Sequence, residues 1–144
     1  MKREYDLEER LLDYSVGIID VVEGLMPGLA AAHIGGQMLR SGTSPLFNHG
    51  EAQAAESARD FVHKMKVCLK ELRETRRALR LIRKKPLTKQ IAAVDAMINE
   101  TEELIRIFFT SIRTANRNTL KEEPDFEYGS GHEPEAIDET QKQE

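Results

Sequence analysis

The sequence predicts an all-α fold, an antiparallel up-down four-helix bundle followed by a disordered acidic tail. Three stretches repeat apolar residues at spacings alternating four and three, the period that gathers side chains on one side of an α-helix. No stretch shows the two-residue alternation of a half-buried strand, and short breaks containing Gly or Pro separate the stretches as bundle turns do.

The first helix, about residues 6–25, carries Leu7, Leu11, Tyr14, Ile18, Val21 and Leu25 on one side, and Gly24, Pro27 and Gly28 close it. The second segment, about 29–52, is rich in small residues; Gly35, Gly36, Ser41, Gly42 and Ser44 allow another helix to come close. Pro45 stands in its middle. Proline lacks a backbone donor and crowds the preceding turn, so read locally it splits or kinks this segment. Ser57 followed by Asp60 resembles a capping box and opens the third helix, about 57–84, with Phe61, Met65, Cys68, Leu72, Thr75, Leu79 and Ile82 on its seam. Pro86 punctuates. The fourth helix, about 87–116, repeats the rhythm in Ile91, Val94, Ile98, Thr101, Ile105, Phe108 and Ile112. Residues 1–117 thus form one bundle domain, and 118–144, acidic and poor in hydrophobes, read as a disordered tail.

The net charge of −4 conceals an asymmetry. Residues 118–144 hold nine Asp/Glu and two Lys, which leaves the body at +3, and residues 59–89 alone hold twelve Lys/Arg against Asp60, Glu71 and Glu74. On the third helix Lys66, Lys70, Arg73, Arg77, Arg80 and Lys84 follow one another at helical spacing opposite the apolar seam, with no acidic residue among them. The stripe runs roughly 27 Å at about 1.5 Å per residue, long enough to follow several phosphates of a nucleic-acid strand. A solvated outer face can carry such charge too. No aromatic residue interleaves with the stripe along the chain, which argues against bases of a single strand stacking on it.

The first helix carries the opposite sign on its outer side: Asp6, Glu9, Asp13, Asp20 and Glu23, interrupted by Val16. The two stripes are complementary, and pairing one subunit's acids with its neighbour's cations is a heterologous contact that can close into a ring. Pairing inside one bundle is the other possibility. Exposed ion pairs contribute only about 0 to 1 kcal/mol, so association needs apolar area, for which Leu12, Ile19, Met97, Leu104 and Phe109 are candidates beside the bundle core itself.

Other classes find little support. The apolar runs fall short of the roughly 20 residues of a membrane span, and the charged N-terminus lacks the apolar core of a signal segment, so a cytoplasmic protein is expected. Cys68, the sole cysteine, excludes an internal disulfide and sits on a seam. His33, His49, His63 and His132 are dispersed; His49, Glu51 and Glu56 lack a ligand repeat; Gly35-Gly36 has no phosphate-loop Lys after it. Neither catalytic residues, metal, cofactor nor small-molecule substrate is expected.

Tyr5-Asp6-Leu7-Glu8-Glu9-Arg10, Gln37-Met38-Leu39-Arg40-Ser41-Gly42-Thr43-Ser44-Pro45, Gly50-Glu51-Ala52-Gln53-Ala54-Ala55-Glu56-Ser57, Leu69-Lys70-Glu71-Leu72-Arg73-Glu74-Thr75 and Ser111-Ile112-Arg113-Thr114-Ala115 resemble the bacterial four-helix-bundle family encoded in intervening sequences of 23S ribosomal RNA genes. The resemblance covers about residues 5–117. It implies that the segment holding Pro45 is one long second helix. That family is similar in turn to accessory proteins of diversity-generating retroelements, which form pentameric rings and bind nucleic acid, so the resemblance implies a homopentamer that binds RNA or DNA. Family members commonly have small residues where this chain has Leu46 and Phe47. The alternative is a protein-interaction scaffold whose basic stripe is used in subunit or partner contacts, with the acidic tail folding across it.

Overall fold

A computed structural model describes residues 6–122 as four helices: α1 (Leu7–Glu23), α2 (Leu29–Gln53), α3 (Ala58–Lys84) and α4 (Ile91–Glu122). Each start has a local cause. Asp6 caps α1 by accepting the Glu8 amide at 3.1 Å, with Glu8 and Glu9 in the positive first turn. Ser57 caps α3 by accepting the Asp60 amide at 3.0 Å. Gly28, at φ +149, makes the turn into α2 in a conformation that favours glycine.

Pro45 does not split α2, so the local reading gives way to the continuous helix implied by the resemblance. The amide that proline lacks is the one the Ser41 carbonyl would have used. Side chains occupy neighbouring carbonyls: Thr43 Oγ1 donates to the Leu39 oxygen and Asn48 Nδ2 to the Ser44 oxygen. The ring itself is fully buried, and its carbonyl receives the Cys68 thiol at 3.6 Å. Packing of α2 on α3 therefore holds the helix through the proline.

α4 begins four residues later than the periodicity suggested, because residues 87–90 have other work. The Met26 amide donates to the Leu87 carbonyl at 2.8 Å, Thr88 Oγ1 donates to the Gly24 carbonyl at 3.2 Å, and the same oxygen accepts the Gln90 amide. This patch ties the α3–α4 turn to the α1–α2 turn. At its far end α4 runs to Glu122, so residues 118–122, expected in the tail, are helical; residues 123–144 lie outside the described part.

α1 packs against α2 and α4, and α3 packs against the same two, while the backbones of α1 and α3 stay apart. They stand at diagonal corners. Leu11, Ile18, Met38, Leu72, Leu79, Ile82, Val94, Leu104 and Phe108 fill the centre. Gly42 is needed for the α1–α2 approach: a Cβ there would come within 2.8 Å of Ile18 Cγ2. Two threonines on the apolar seams are buried with polar partners, Thr75 with Ser41 at 2.8 Å and Thr101 with Tyr14 at 2.6 Å.

Candidate nucleic-acid interface

The seam of α3 faces the core, which turns Lys66, Lys70, Arg73, Arg77, Arg80 and Lys84 to the exterior, and all six are exposed. Nearby carboxylates are already engaged by other cations. Arg40 on α2 forks Glu71 at 3.1 Å and Glu74 at 2.5 Å; Lys64 holds Glu51 at 2.8 Å; Arg83 holds Asp95 at 2.7 Å. Lys70 approaches Glu71 only to 3.9 Å, and among the described residues Lys66, Arg73, Arg77, Arg80 and Lys84 have no ion-pair partner. Five of the six stripe cations are therefore unpaired among the described residues.

The stripe borders two grooves. Arg77 lines the α2–α3 groove with Ile34, Gln37, Ala78 and Leu81, a largely apolar depression. Lys66, Arg80 and Lys84 line hollows on the α3–α4 face: Arg80, Arg83 and Lys84 with Ile98 and Glu102 at one end, Arg59, His63 and Lys66 with Asn116 and Thr119 at the other. Arg73 falls midway, seven residues from both Lys66 and Arg80.

α4 adds to this face residues absent from the sequence-based site. Arg113 lies about five helical turns beyond Asp95, the partner of Arg83, and so shares its bearing toward α3. Arg106 lies within about 20° of the same bearing, and both arginines are exposed. Phe109 falls seven residues after Glu102 and seven before Asn116, which line the two hollows, and it is 48% exposed. The Arg113 guanidinium lies over its ring, 5.6 Å from the centroid. Phe109 thus lies on the α3–α4 face of the bundle. The signal was present in the spacing of Arg106, Phe109 and Arg113, but only the α3–α4 pairing places it beside the basic stripe.

The remaining interface candidates divide. Asp6, Glu9, Asp13 and Asp20 are exposed on the outer side of α1, with Leu12 and Ile19 exposed beside them at 44% and 38%. Because α1 and α3 are diagonal, these acids cannot pair with the basic stripe of the same bundle. Met97 is half-buried and fills the space left by Gly17, where a Cβ would meet its sulfur at 2.6 Å. Leu104 is corrected outright: it is wholly buried in the bundle core and offers nothing to another subunit.

Cys68 is buried, and desolvation pushes its thiol up to about 12, so it stays protonated. His33 and His63 are exposed; His49 is buried against Phe108; His132 lies outside the described residues. Among the described residues no three His, Cys, Asp or Glu side chains are grouped to hold a metal ion, and no helix is long and apolar enough to cross a membrane.

No known protein-family model matches the chain, and no curated protein does. It is similar to the crystal structure of a protein of unknown function from the S23 ribosomal protein family of Bacteroides thetaiotaomicron, at 28% identity and a TM-score of 0.64, over 74% of this chain and 98% of that one.

Proposed function

We propose that the chain is a non-enzymatic, cytoplasmic accessory protein of the 23S intervening-sequence type, which assembles with copies of itself and binds RNA or DNA through the basic face of α3. The observation that carries this reading is the exposed stripe: six cations, five of them without an ion-pair partner among the described residues, beside carboxylates that Arg40, Lys64 and Arg83 have already claimed. Unpaired cations at helical spacing attract a phosphate backbone and release its counterions, while reading little sequence.

Self-association fits the other surfaces. The diagonal placement of α1 and α3 makes acid-to-base pairing a contact between copies, which closes into a ring when the rotation permits. The exposed Leu12 and Ile19 suit the largely apolar α2–α3 groove of a neighbour, and this arrangement leaves the α3–α4 face open. The resemblance makes five the expected number of copies.

Two measurements test the reading. Replacing Arg73, Arg77 and Arg80 together with Glu is expected to weaken binding to labelled RNA and DNA by at least about a hundredfold at moderate salt, with the helical circular-dichroism signal unchanged. Unaltered binding sinks the stripe as the interface. Native mass measurement is expected to give a multiple of the 16.4 kDa chain, and Ile19→Asp to break it down.

A further inference from the structure

From its aromatic residue and its cations we infer that the α3–α4 face is built for single-stranded nucleic acid, with a base stacking on Phe109 while the cations of both helices hold the flanking phosphates. This rests on the proposal that α3 binds nucleic acid, and it names the substrate class. The sequence alone argued the other way, because no aromatic interrupts the stripe on α3. The fold supplies one from the neighbouring helix.

The placement follows from the pairing of the two helices. α3 and α4 run antiparallel, and Arg83 meets Asp95 at 2.7 Å. Counting equal numbers of residues back along α3 and forward along α4 brings Phe109 level with Leu69, between Lys66 and Arg73, and brings Arg106 close to the level of Arg73. A half-exposed aromatic ring therefore lies level with the stretch between Lys66 and Arg73 on one helix, with Arg106 and Arg113 on its own.

A duplex keeps its bases inside the stack and shows a rod of phosphates, for which a ring among the cations has no use. A single strand can splay a base onto the ring, and every base has a face to stack, so such a site tolerates sequence. The Arg113 guanidinium lies over the same ring, so a stacking base takes its place there and frees the guanidinium to meet a flanking phosphate. Single strands of RNA and DNA share this chemistry.

The chain contains no tryptophan, so Phe109→Trp places a single indole at the site. Titration with an unstructured pyrimidine 20-mer, as RNA and as DNA, is expected to quench its emission, whereas the same length of duplex is expected to leave it unquenched. In fluorescence anisotropy with labelled strands, Phe109→Ala is expected to weaken single-strand binding about tenfold and duplex binding less than twofold, with Phe109→Tyr close to wild type. Phe47→Ala, which removes an exposed ring from α2, serves as the control and should change neither. If the wild type binds no strand of any kind, the reading of α3 has failed and this inference falls with it. If strands and duplex bind alike and Phe109→Ala shifts both or neither, backbone binding stands and the stacking site is overturned.

Discussion

The Tyr14 hydroxyl lies 2.6 Å from Thr101 Oγ1 in the buried space between α1 and α4, and the direction of that hydrogen bond is determined. Thr101 Oγ1 donates its only hydrogen to the Met97 carbonyl at 2.6 Å, so Tyr14 must be the donor. Across the bundle Thr75 donates to the Glu71 carbonyl at 2.8 Å, and Ser41 therefore donates to Thr75. Each long seam of α3 and α4 thus holds one hydroxyl that ties it to the neighbouring helix.

Removing the acceptor should cost more than removing the donor. Thr101→Val strands a buried phenolic O–H and is expected to lower stability by about 1 to 3 kcal/mol, whereas Tyr14→Phe leaves only a spare lone pair and costs about 1 kcal/mol. The double variant is apolar on both sides and should be less destabilised than the two singles combined. Urea denaturation of the four proteins completes the cycle; strict additivity would show that the hydroxyls act independently.

Leu104 and Leu12 separate core from surface. Leu104→Ala empties a fully buried site and is expected to cost about 2 to 5 kcal/mol in thermal or urea unfolding. Leu12→Ala removes a side chain 44% exposed in the isolated chain and should leave monomer stability within about 0.5 kcal/mol while shifting the assembly toward smaller species in light scattering.

The repeating seams of α1, α3 and α4 made those helices legible, because each seam residue is there to be buried and its period announces the fact. Thr75 and Thr101 kept the period although polar, and their hydrogen bonds explain why. Leu104 was harder to read: it lies beside the seam of α4, and periodicity cannot tell the wide buried face of a bundle helix from a face kept for a partner. Pro45 misled the local reading because the stabilisation of α2 comes from contact with α3, which no local rule contains. The start of α4 was missed for a similar reason, since residues 87–90 are held by Gly24 and Met26, distant in the chain. Of the candidate site, the stripe on α3 could be read from one helix, whereas Phe109, Arg106 and Arg113 needed the pairing of two.

His49 should make the bundle sensitive to mild acid. Its Nδ1 is buried without a hydrogen-bond partner, Nε2 lies 3.2 Å from the Gln53 amide nitrogen, and the ring meets Phe108 edge to face at 6.2 Å. Burial holds its pKa below the usual 6.5, with the Glu8 and Asp6 carboxylates opposing that shift in part. The unfolded chain therefore takes up this proton at higher pH than the folded one. Stability from the neutral ring is present above pH 6.5 and declines as pH falls below it, at up to about 1.4 kcal/mol per pH unit, until the folded imidazole protonates too. Urea midpoints measured between pH 8 and 5 are expected to fall for the wild type and to fall less for His49→Gln.

Arg40 is expected to govern the α3 face without belonging to it. Its guanidinium forks Glu71, whose side chain is buried, and Glu74, which stands at the edge of the stripe. Arg40→Met frees both carboxylates, and freed acids beside Lys70, Arg73 and Arg77 draw those cations inward and repel a phosphate backbone. Nucleic-acid affinity should drop severalfold at low salt and stability should drop with it, because Glu71 then loses its principal partner. Adding Glu71→Gln and Glu74→Gln to Arg40→Met removes the repulsion and should restore affinity. Restoration of affinity without restoration of stability would still support the electrostatic account, whereas affinity that stays low once the acids are neutral would show that Arg40 itself contacts the strand.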